Sequence, residues 1–299
     1  MRTLIIVALA FCSLIINAQN QVVRRQGTKG KATTSKNTQT QTSSSSTHKR
    51  TTSTSKKQAS HRINASFSYG VLTVNGVRYE MVKVGAGTFT MGATSEMQNP
   101  VDGEKPAHQV TLTNNYYMGK TEVTQALWKA VMGSNPSSFN DYNKPVENVS
   151  WDDCKTFIKK LNQATGKNFR LPTEAEWEFA ARGGNNSRHY QYSGSNNIDD
   201  VAWYDQNSSN TTHDVATKSP NELGLYDMSG NVLEWCQDWY GNYSSSAQTN
   251  PTGPSSGSYR VCRGGSWYYD AGYCRSSVRF FSSPDFRFSF IGLRLALSE

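Results

Sequence analysis

Metal-binding side chains are scarce in this chain. It has five cysteines and five histidines in 299 residues, and no two cysteines have the C-x-x-C spacing of a zinc or thioredoxin site. No pair of histidines has metal-ligand spacing on a helix. The four cysteines after residue 18 are an even number, so an exported protein could pair them, but the sequence does not show which would pair. They are Cys154, Cys236, Cys262 and Cys274.

Long apolar runs are absent beyond the first residues. Residues 3–16 form one apolar run behind Arg2 and end before polar sequence, which is the layout of a cleaved secretory signal over residues 1–18. This run is too short to span a bilayer comfortably, and no other run reaches that length. Cys12 lies inside the run, so a lipoprotein anchor on it is not expected. The sequence therefore predicts export to the periplasm, the cell surface or the extracellular space.

Acidic residues are missing from the next segment. Residues 19–62 contain ten Lys or Arg and no acid, whereas residues 63–299 carry 20 bases and 23 acids. The segment is rich in Ser, Thr, Gln and Lys, so a disordered basic linker is predicted over residues 19–65. A solvated linker is the simple interpretation, and attraction to anionic envelope polymers or nucleic acid is the alternative. No aromatic residues are interleaved for base stacking, so nucleic acid is not expected as a partner.

Local signals in the remaining chain predict helices first and irregular β structure later. Asn75-Gly76 is a two-residue hairpin turn between strand-like runs. Helices are predicted after three capping residues, and glycines follow each of them. Beyond Asn185 aromatic residues are scattered among Gly, Asn and Ser. This order predicts an α+β fold rather than alternating βαβ units. The predicted caps are Thr124, Ser150 and Thr173.

Six ordered motifs carry a resemblance to a known family. They are Met81–Gly92, Lys120–Thr124, Pro145–Trp151, Arg170–Glu178, Gly224–Trp235 and Arg263–Trp267. Together they resemble the formylglycine-generating enzyme family, also called the sulfatase-modifying factor family. The resemblance runs from about Val77 to Leu297. It implies one compact domain, placed at residues 70–299, of modified C-type-lectin topology with little regular secondary structure and a core partly organised by calcium.

The resemblance implies where that calcium would bind. Enzymes of the family place two side chains and two backbone carbonyls around one ion in the loop that corresponds to residues 224–235. The matching side chains here are Asp227 and Glu234, and the matching carbonyls belong to Gly230 and Val232. These are oxygen donors of the kind that calcium prefers. An ordinary turn is the alternative interpretation of the same residues.

The resemblance also implies an oxidase site, but its cysteine pair is incomplete. Members that oxidise cysteine to formylglycine carry two cysteines separated by four residues, and two thiolates at that spacing can hold copper(I). The second position falls on Cys274 and the first on Tyr269. A phenol cannot replace a thiolate toward copper(I), so copper is not expected. Cys274 and Ser266 would be catalytic only if an oxidase activity survived, and a structural thiol is the alternative for Cys274.

The C-terminal segment has a biased composition between its framework residues. These positions are Tyr, Phe, Ser and Asp almost exclusively, and each could be encoded by a codon ending in a pyrimidine. The segment therefore resembles the variable region of proteins diversified by retroelements, in which asparagine codons undergo adenine-directed mutagenesis. The same composition is typical of a paratope. The predicted ligand-binding residues are Trp267, Tyr268, Tyr269, Asp270, Tyr273, Arg275, Phe280, Phe281, Phe286, Phe288 and Phe290.

Two further interpretations concern the phenylalanines and the arginines of the same segment. Its phenylalanines would be core residues if they belong to the last strands. Its arginines could meet carboxylates or sulfates of a ligand, although surface solubility explains lone arginines equally well. The arginines in question are Arg263, Arg275, Arg279 and Arg287.

The sequence favours an exported, non-catalytic protein that binds a protein or glycan ligand through this segment. Envelope proteins are among the candidate protein ligands. One alternative is a formylglycine-generating oxidase that converts a sulfatase cysteine to formylglycine. A second alternative is a structural component of a cell-envelope assembly, which the basic tail would tether to a partner.

Overall fold

A computed structural model of the chain describes residues 63–299. The predicted signal peptide and residues 19–62 of the predicted linker lie outside the described residues. The first strand begins at Ala65, five residues before the predicted domain boundary at residue 70. Within residues 63–299, no helix is both long enough and apolar enough to cross a membrane.

Short strands outnumber helices in the described chain, as expected for an α+β fold. The helices are α1 (Gln125–Met132), α2 (Trp151–Thr165), α3 (Glu174–Ala181) and α4 (Ile198–Val201). The strands are β1 (Ala65–Ser68), β2 (Val71–Val74), β3 (Val77–Val84), β4 (Gly87–Met91), β5 (His108–Leu112), β6 (Tyr116–Gly119), β7 (Phe169–Arg170), β8 (Leu233–Trp239), β9 (Gln248–Thr249), β10 (Arg260–Arg263), β11 (Arg279–Ser282), β12 (Ile291–Gly292) and β13 (Ala296–Ser298).

Three sheets organise these strands. The largest has the order β1-β2-β3-β6-β13-β7, so the last strand of the chain lies antiparallel between β6 and β7. A second sheet has the order β11-β10-β8-β12, and a third has the order β4-β5-β9. The predicted hairpin turn joins β2 to β3, and both of its residues have positive φ angles, 48° at Asn75 and 87° at Gly76. Three strands of the C-terminal segment, β10, β11 and β12, belong to the second sheet.

The predicted caps start the first three helices. The Thr124 hydroxyl accepts the Leu127 N–H at 3.2 Å. Ser150 forms a reciprocal capping box with Asp153, and Thr173 forms one with the acid three residues later. Each cap satisfies N–H groups that the first helical turn leaves without a partner. These helix starts were therefore predictable from the local sequence.

Helix packing builds the core around aromatic side chains. Trp128 of α1 and Phe157 of α2 stack with parallel rings whose centroids are 4.9 Å apart. Trp177 and Phe179 of α3 are almost fully buried. They belong to the same core cluster as Met118 of β6. Burial of such large apolar side chains is the main favourable contribution to folding.

Charged pairs also lie inside this core. Arg263 at the end of β10 is fully buried and donates to the equally buried Glu178 of α3 and to the Val278 carbonyl. Glu178 also accepts from Arg182 at 2.9 Å. Arg294 donates to both oxygens of Glu234, with the shortest of these bonds at 2.7 Å. A buried charge requires such a partner, since transfer out of water is otherwise strongly unfavourable.

Three of the four arginines considered in the C-terminal segment are buried, so the interpretation that they contact a ligand is wrong for them. Arg275 donates to Glu104 at 2.9 Å, and Arg279 donates to both oxygens of Glu174 at 2.6 and 2.8 Å. Together with Arg263, these side chains face the interior because each neutralises an internal carboxylate. Of the four arginines considered, only Arg287 has a half-exposed side chain. It pairs with Asp153 at 2.6 Å.

Substitution of Glu178 by alanine should strongly destabilise the domain. It would leave the guanidinium groups of Arg263 and Arg182 buried without their shared carboxylate, for which a loss of about 3–5 kcal/mol in the free energy of unfolding is expected. The matched control is Glu80→Ala, because Glu80 pairs with Lys120 at 2.8 Å on the surface. The control should lose less than about 1 kcal/mol. Urea denaturation measures both variants, and equal losses would contradict the structural role of the buried pair.

Candidate functional site

The glycine turn after β10 brings the remaining cysteine of the predicted oxidase site into the interior. Gly265 has a φ angle of 72°, and a Cβ atom there would lie 2.6 Å from the Cys274 sulfur. Cys274 is fully buried and packs against Tyr192 and Tyr204. Burial raises the pKa of its thiol to about 12. Since the thiolate is the nucleophile and the metal ligand, this environment suppresses both functions near neutral pH.

The two other residues of the predicted oxidase site lie in the same turn. Ser266 is fully buried, and its hydroxyl accepts the Tyr268 N–H at 3.3 Å. Tyr269 is half-buried, and its carbonyl accepts the Asp205 N–H at 3.0 Å. Burial raises the pKa of the Tyr269 phenol well above its usual range. A neutral phenol and a neutral thiol thus occupy the positions of the two thiolates.

Aromatic rings of the C-terminal segment contact one another in a continuous row, called here the aromatic ladder. Neighbouring ring centroids are 4.8–5.9 Å apart, within the range of favourable aromatic pairs. The ladder comprises Phe286, Phe288, Phe290, Tyr268, Tyr269, Phe280 and Tyr273.

Only part of the predicted contact surface reaches solvent. The side chains of Asp270 and Phe286 are exposed, with Phe286 at 49%. Half-buried positions are Tyr268, Tyr269, Tyr273 and Phe281. The other five are at most 5% exposed, so their side chains offer almost no surface for direct ligand contact, contrary to the sequence prediction. They are Trp267, Arg275, Phe280, Phe288 and Phe290.

The interpretation of the phenylalanines as core residues is therefore confirmed for three of the four positions. Phe280, Phe288 and Phe290 are buried, and Phe286 is exposed. Phe281 is not part of the ladder. Its ring packs between Tyr240 and Tyr259, and its centroid lies 4.5 Å from that of Tyr240. Contact with a ligand through the six accessible positions stays a prediction.

Residues from distant parts of the chain also contact the C-terminal segment, and the sequence analysis did not predict them. Asp205 binds the backbone of Tyr269, and the Ser208 hydroxyl donates to the Trp267 carbonyl at 2.8 Å. Phe139 meets the Trp267 ring edge-on at 5.3 Å. Burial and the nearby charge of Asp270 raise the pKa of Asp205. The only sequence signal was the aromatic and acidic cluster at residues 203–205, which lies far from residue 267 along the chain.

The predicted calcium ligands lie together, but their carboxylates already have partners. Both oxygens of Glu234 accept from Arg294, and one also accepts from the Trp177 indole at 2.7 Å. Asp227 accepts the Ala216 N–H at 2.8 Å, and burial raises its pKa to about 6. As arranged, this donor set does not fit calcium, because the charge of Glu234 is neutralised by a guanidinium.

The backbone N–H groups of the same loop, as distinct from the carbonyl oxygens predicted to bind calcium, also have partners. The Gly230 N–H donates to the Gly264 carbonyl, and the Val232 N–H donates to Glu122 at 3.0 Å. Burial, followed by the charges of Asp227 and Glu234, raises the pKa of Glu122 well above its usual range. In residues 63–299, no cluster of three or more His, Cys, Asp or Glu has the geometry of a metal site. Calcium therefore stays a prediction that requires Glu234 to exchange Arg294 for the ion.

The fold is that of a domain of the formylglycine-generating enzyme type. The family described as "Sulfatase-modifying factor enzyme 1-like domain" matches residues 73–299. The chain belongs to this sulfatase-modifying factor family.

Named relatives agree with this assignment. The chain is 38% identical over 208 residues to the "Chaperone protein LppX" of Paenibacillus barcinonensis, covering 53% of this chain and 71% of that protein. It is 32% identical over 287 residues to the formylglycine-generating enzyme of Mus musculus, covering 73% and 74%. Among solved structures, Treponema denticola variable protein 1 is 37% identical with a TM-score of 0.70, covering 77% of this chain and 98% of that one.

Cys274 should resist alkylation in the folded protein. With a pKa of about 12, roughly one thiol in ten thousand is ionised at pH 8, and the sulfur is buried. Iodoacetamide at pH 8 should therefore leave Cys274 unmodified by mass spectrometry, while the same treatment in 6 M guanidinium chloride should label it fully. Rapid labelling of the native protein would show that the thiol is accessible and reactive.

Proposed function

We propose that this family member is an exported, non-catalytic binding protein whose protein or glycan ligand docks on the accessible part of the aromatic ladder. One observation carries the proposal: Tyr269 occupies the position of a metal-binding thiol, and the remaining Cys274 is sealed in the interior. Export is supported by the apolar run of residues 3–16.

The half-buried construction of the ladder supports binding. Phe288 and Phe290 stack with nearly parallel rings 5.0 Å apart, and Tyr268 stacks on Phe290 at 5.6 Å. The buried rings hold the accessible edges of the tyrosines in place, which reduces the side-chain entropy that binding would remove. Rigid tyrosine surfaces of this kind supply large contact areas in paratopes.

Similarity to Treponema denticola variable protein 1 supports a further element of the proposal. Tyr, Phe, Ser and Asp at non-framework positions are the residues that adenine-directed changes of asparagine codons would leave. In this proposal, exposed positions such as Phe286 vary with the ligand, whereas buried arginine pairs keep the scaffold constant. The glycine turn at residues 264–265 keeps the same backbone path in every variant.

The oxidase alternative has one observation in its favour, the 32% identity with the formylglycine-generating enzyme of Mus musculus. The proposed loss of activity is tested by incubating the full chain with copper, oxygen and a cysteine-containing sulfatase peptide. No aldehyde should form by mass spectrometry, whereas the Mus musculus enzyme should convert the peptide in parallel. Tyr269→Cys restores the thiol pair and is the matched variant. Aldehyde formation by the unchanged chain would establish the oxidase instead.

Ligand capture should depend on the exposed edge of the ladder. Phe286→Ser combined with Tyr268→Ser removes two accessible rings, and loss of two interface aromatics should lower binding at least about tenfold. The measurement is crosslinking on intact producing cells followed by mass spectrometry of captured partners. Tyr69→Ser combined with Tyr142→Ser is the matched control, because both tyrosines are exposed outside the ladder. Equal loss of the same partner in both variants would contradict docking on the ladder.

A further inference from the structure

A cavity lies at the end of β8, where the strand meets the N terminus of α3. Its volume is about 520 Å³, which is within the range of small-molecule sites. Among the described residues, its lining shares no member with the aromatic ladder. We call it the Asp238 cavity. Its inner lining includes Met91, His108, Glu174, Asp238 and Tyr243.

Asp238 supplies a polar atom on the cavity wall without a protein hydrogen-bond partner. Asp238 is only 3% exposed, and its Oδ2 atom accepts the Glu174 N–H at 3.0 Å. Within residues 63–299, its Oδ1 atom takes part in no hydrogen bond. Burial, and next the charge of Glu174, raise the pKa of Asp238 to about 8. Near neutral pH the group is therefore a neutral carboxyl that can both donate and accept a hydrogen bond.

His108 supplies a second such atom. The residue is 4% exposed, and its Nδ1 atom lies 3.2 Å from the Pro106 carbonyl. Its ring meets Tyr243 edge-on at 4.8 Å. Its Nε2 atom has no hydrogen-bond partner in the described part of the chain. Two polar atoms on the cavity wall can therefore form hydrogen bonds with a bound molecule or with water.

Arg279 cannot recruit an anion to the cavity. Its Nε and Nη2 atoms donate to Glu174, and its Nη1 atom donates to the carbonyls of Gly103 and Gly241 at 3.2 and 2.9 Å. These bonds use four of the five N–H donors and Glu174 neutralises the guanidinium, so a phosphate or carboxylate would gain little from this residue.

The aromatic residues of the cavity offer little to an organic cation. Arg279 already lies over the Tyr243 ring at 3.8 Å from its centroid, and Arg260 lies over the Trp239 ring at 3.4 Å. Recognition of an ammonium group by an aromatic cage needs free ring faces. A neutral ligand with many hydroxyl groups fits better, because each hydroxyl can donate and accept.

We propose that the Asp238 cavity binds a neutral saccharide, accommodating its terminal one or two sugar residues. Asp238 and His108 bond sugar hydroxyls at the inner wall, while Met91 and Ala175 present apolar surface to the C–H groups of the ring. Asn242 and Thr252 stand exposed among the lining residues and add hydrogen-bonding groups near solvent. This site goes beyond the ladder and does not depend on the ladder's ligand.

The experiment is saturation-transfer difference NMR on the full chain. The probes are mannose, N-acetylglucosamine, lactose and cellobiose, with choline and glucose 6-phosphate as charged comparators. Thr252→Trp places a large side chain at the cavity from an exposed position, and His108→Phe removes the ring nitrogens but keeps an aromatic ring. Asn140→Trp is the matched control, because Asn140 is exposed and lines a separate cavity. Circular dichroism and thermal melting establish that each variant is folded.

At least one neutral saccharide should show transfer with the unchanged chain and with Asn140→Trp. Its affinity should fall tenfold or more in Thr252→Trp and about three- to tenfold in His108→Phe, which loses one hydrogen bond. Binding should persist in the Phe286→Ser, Tyr268→Ser variant, which separates this site from the ladder. The proposal is overturned if none of the four sugars binds, if only a charged comparator binds, or if a folded Thr252→Trp variant binds the sugar as well as the unchanged chain.

Discussion

Buried arginine–carboxylate pairs are the constraint on which this domain depends. Arg263 and Arg294 are fully buried, and each reaches a carboxylate from a distant motif, Glu178 and Glu234 respectively. Neither charge can be hydrated where it lies. The pairs therefore hold the strands of the second sheet against α3 and against the loop at residues 224–235. The irregular backbone between them is positioned by these fixed points rather than by long helices or strands.

The pairs also explain why the C-terminal segment tolerates an unusual composition. The framework residues on either side of the ladder are anchored internally, and the rings between them contact mainly one another. Exposed side chains there, such as Phe286, can differ without disturbing the charged core. A scaffold with this separation suits recognition, because contact residues and structural residues are different residues of the same segment.

The same arrangement accounts for the proposed absence of oxidase chemistry. Cys274 is held against the backbone of Gly265 in an apolar environment that favours the neutral thiol. Tyr269 has a place in the ladder, where its ring is tilted by 41° to that of Phe280 at a centroid distance of 4.8 Å. Its phenol is too weak an acid to act as a metal-binding anion here.

The sequence by itself determined the features that depend on neighbouring residues or on a residue's identity. These include the helix starts at Thr124, Ser150 and Thr173, the hairpin at Asn75-Gly76, the family motifs and the single cysteine at position 274, since caps and tight turns are satisfied within a few residues. Only the tertiary structure decided which aromatic and charged side chains face water. Phe286 and Phe288 differ by two positions yet one is exposed and the other buried, and Arg275 pairs with a glutamate 171 residues away. Burial and ion pairing are set by segments that are distant in the chain, and no local pattern records them.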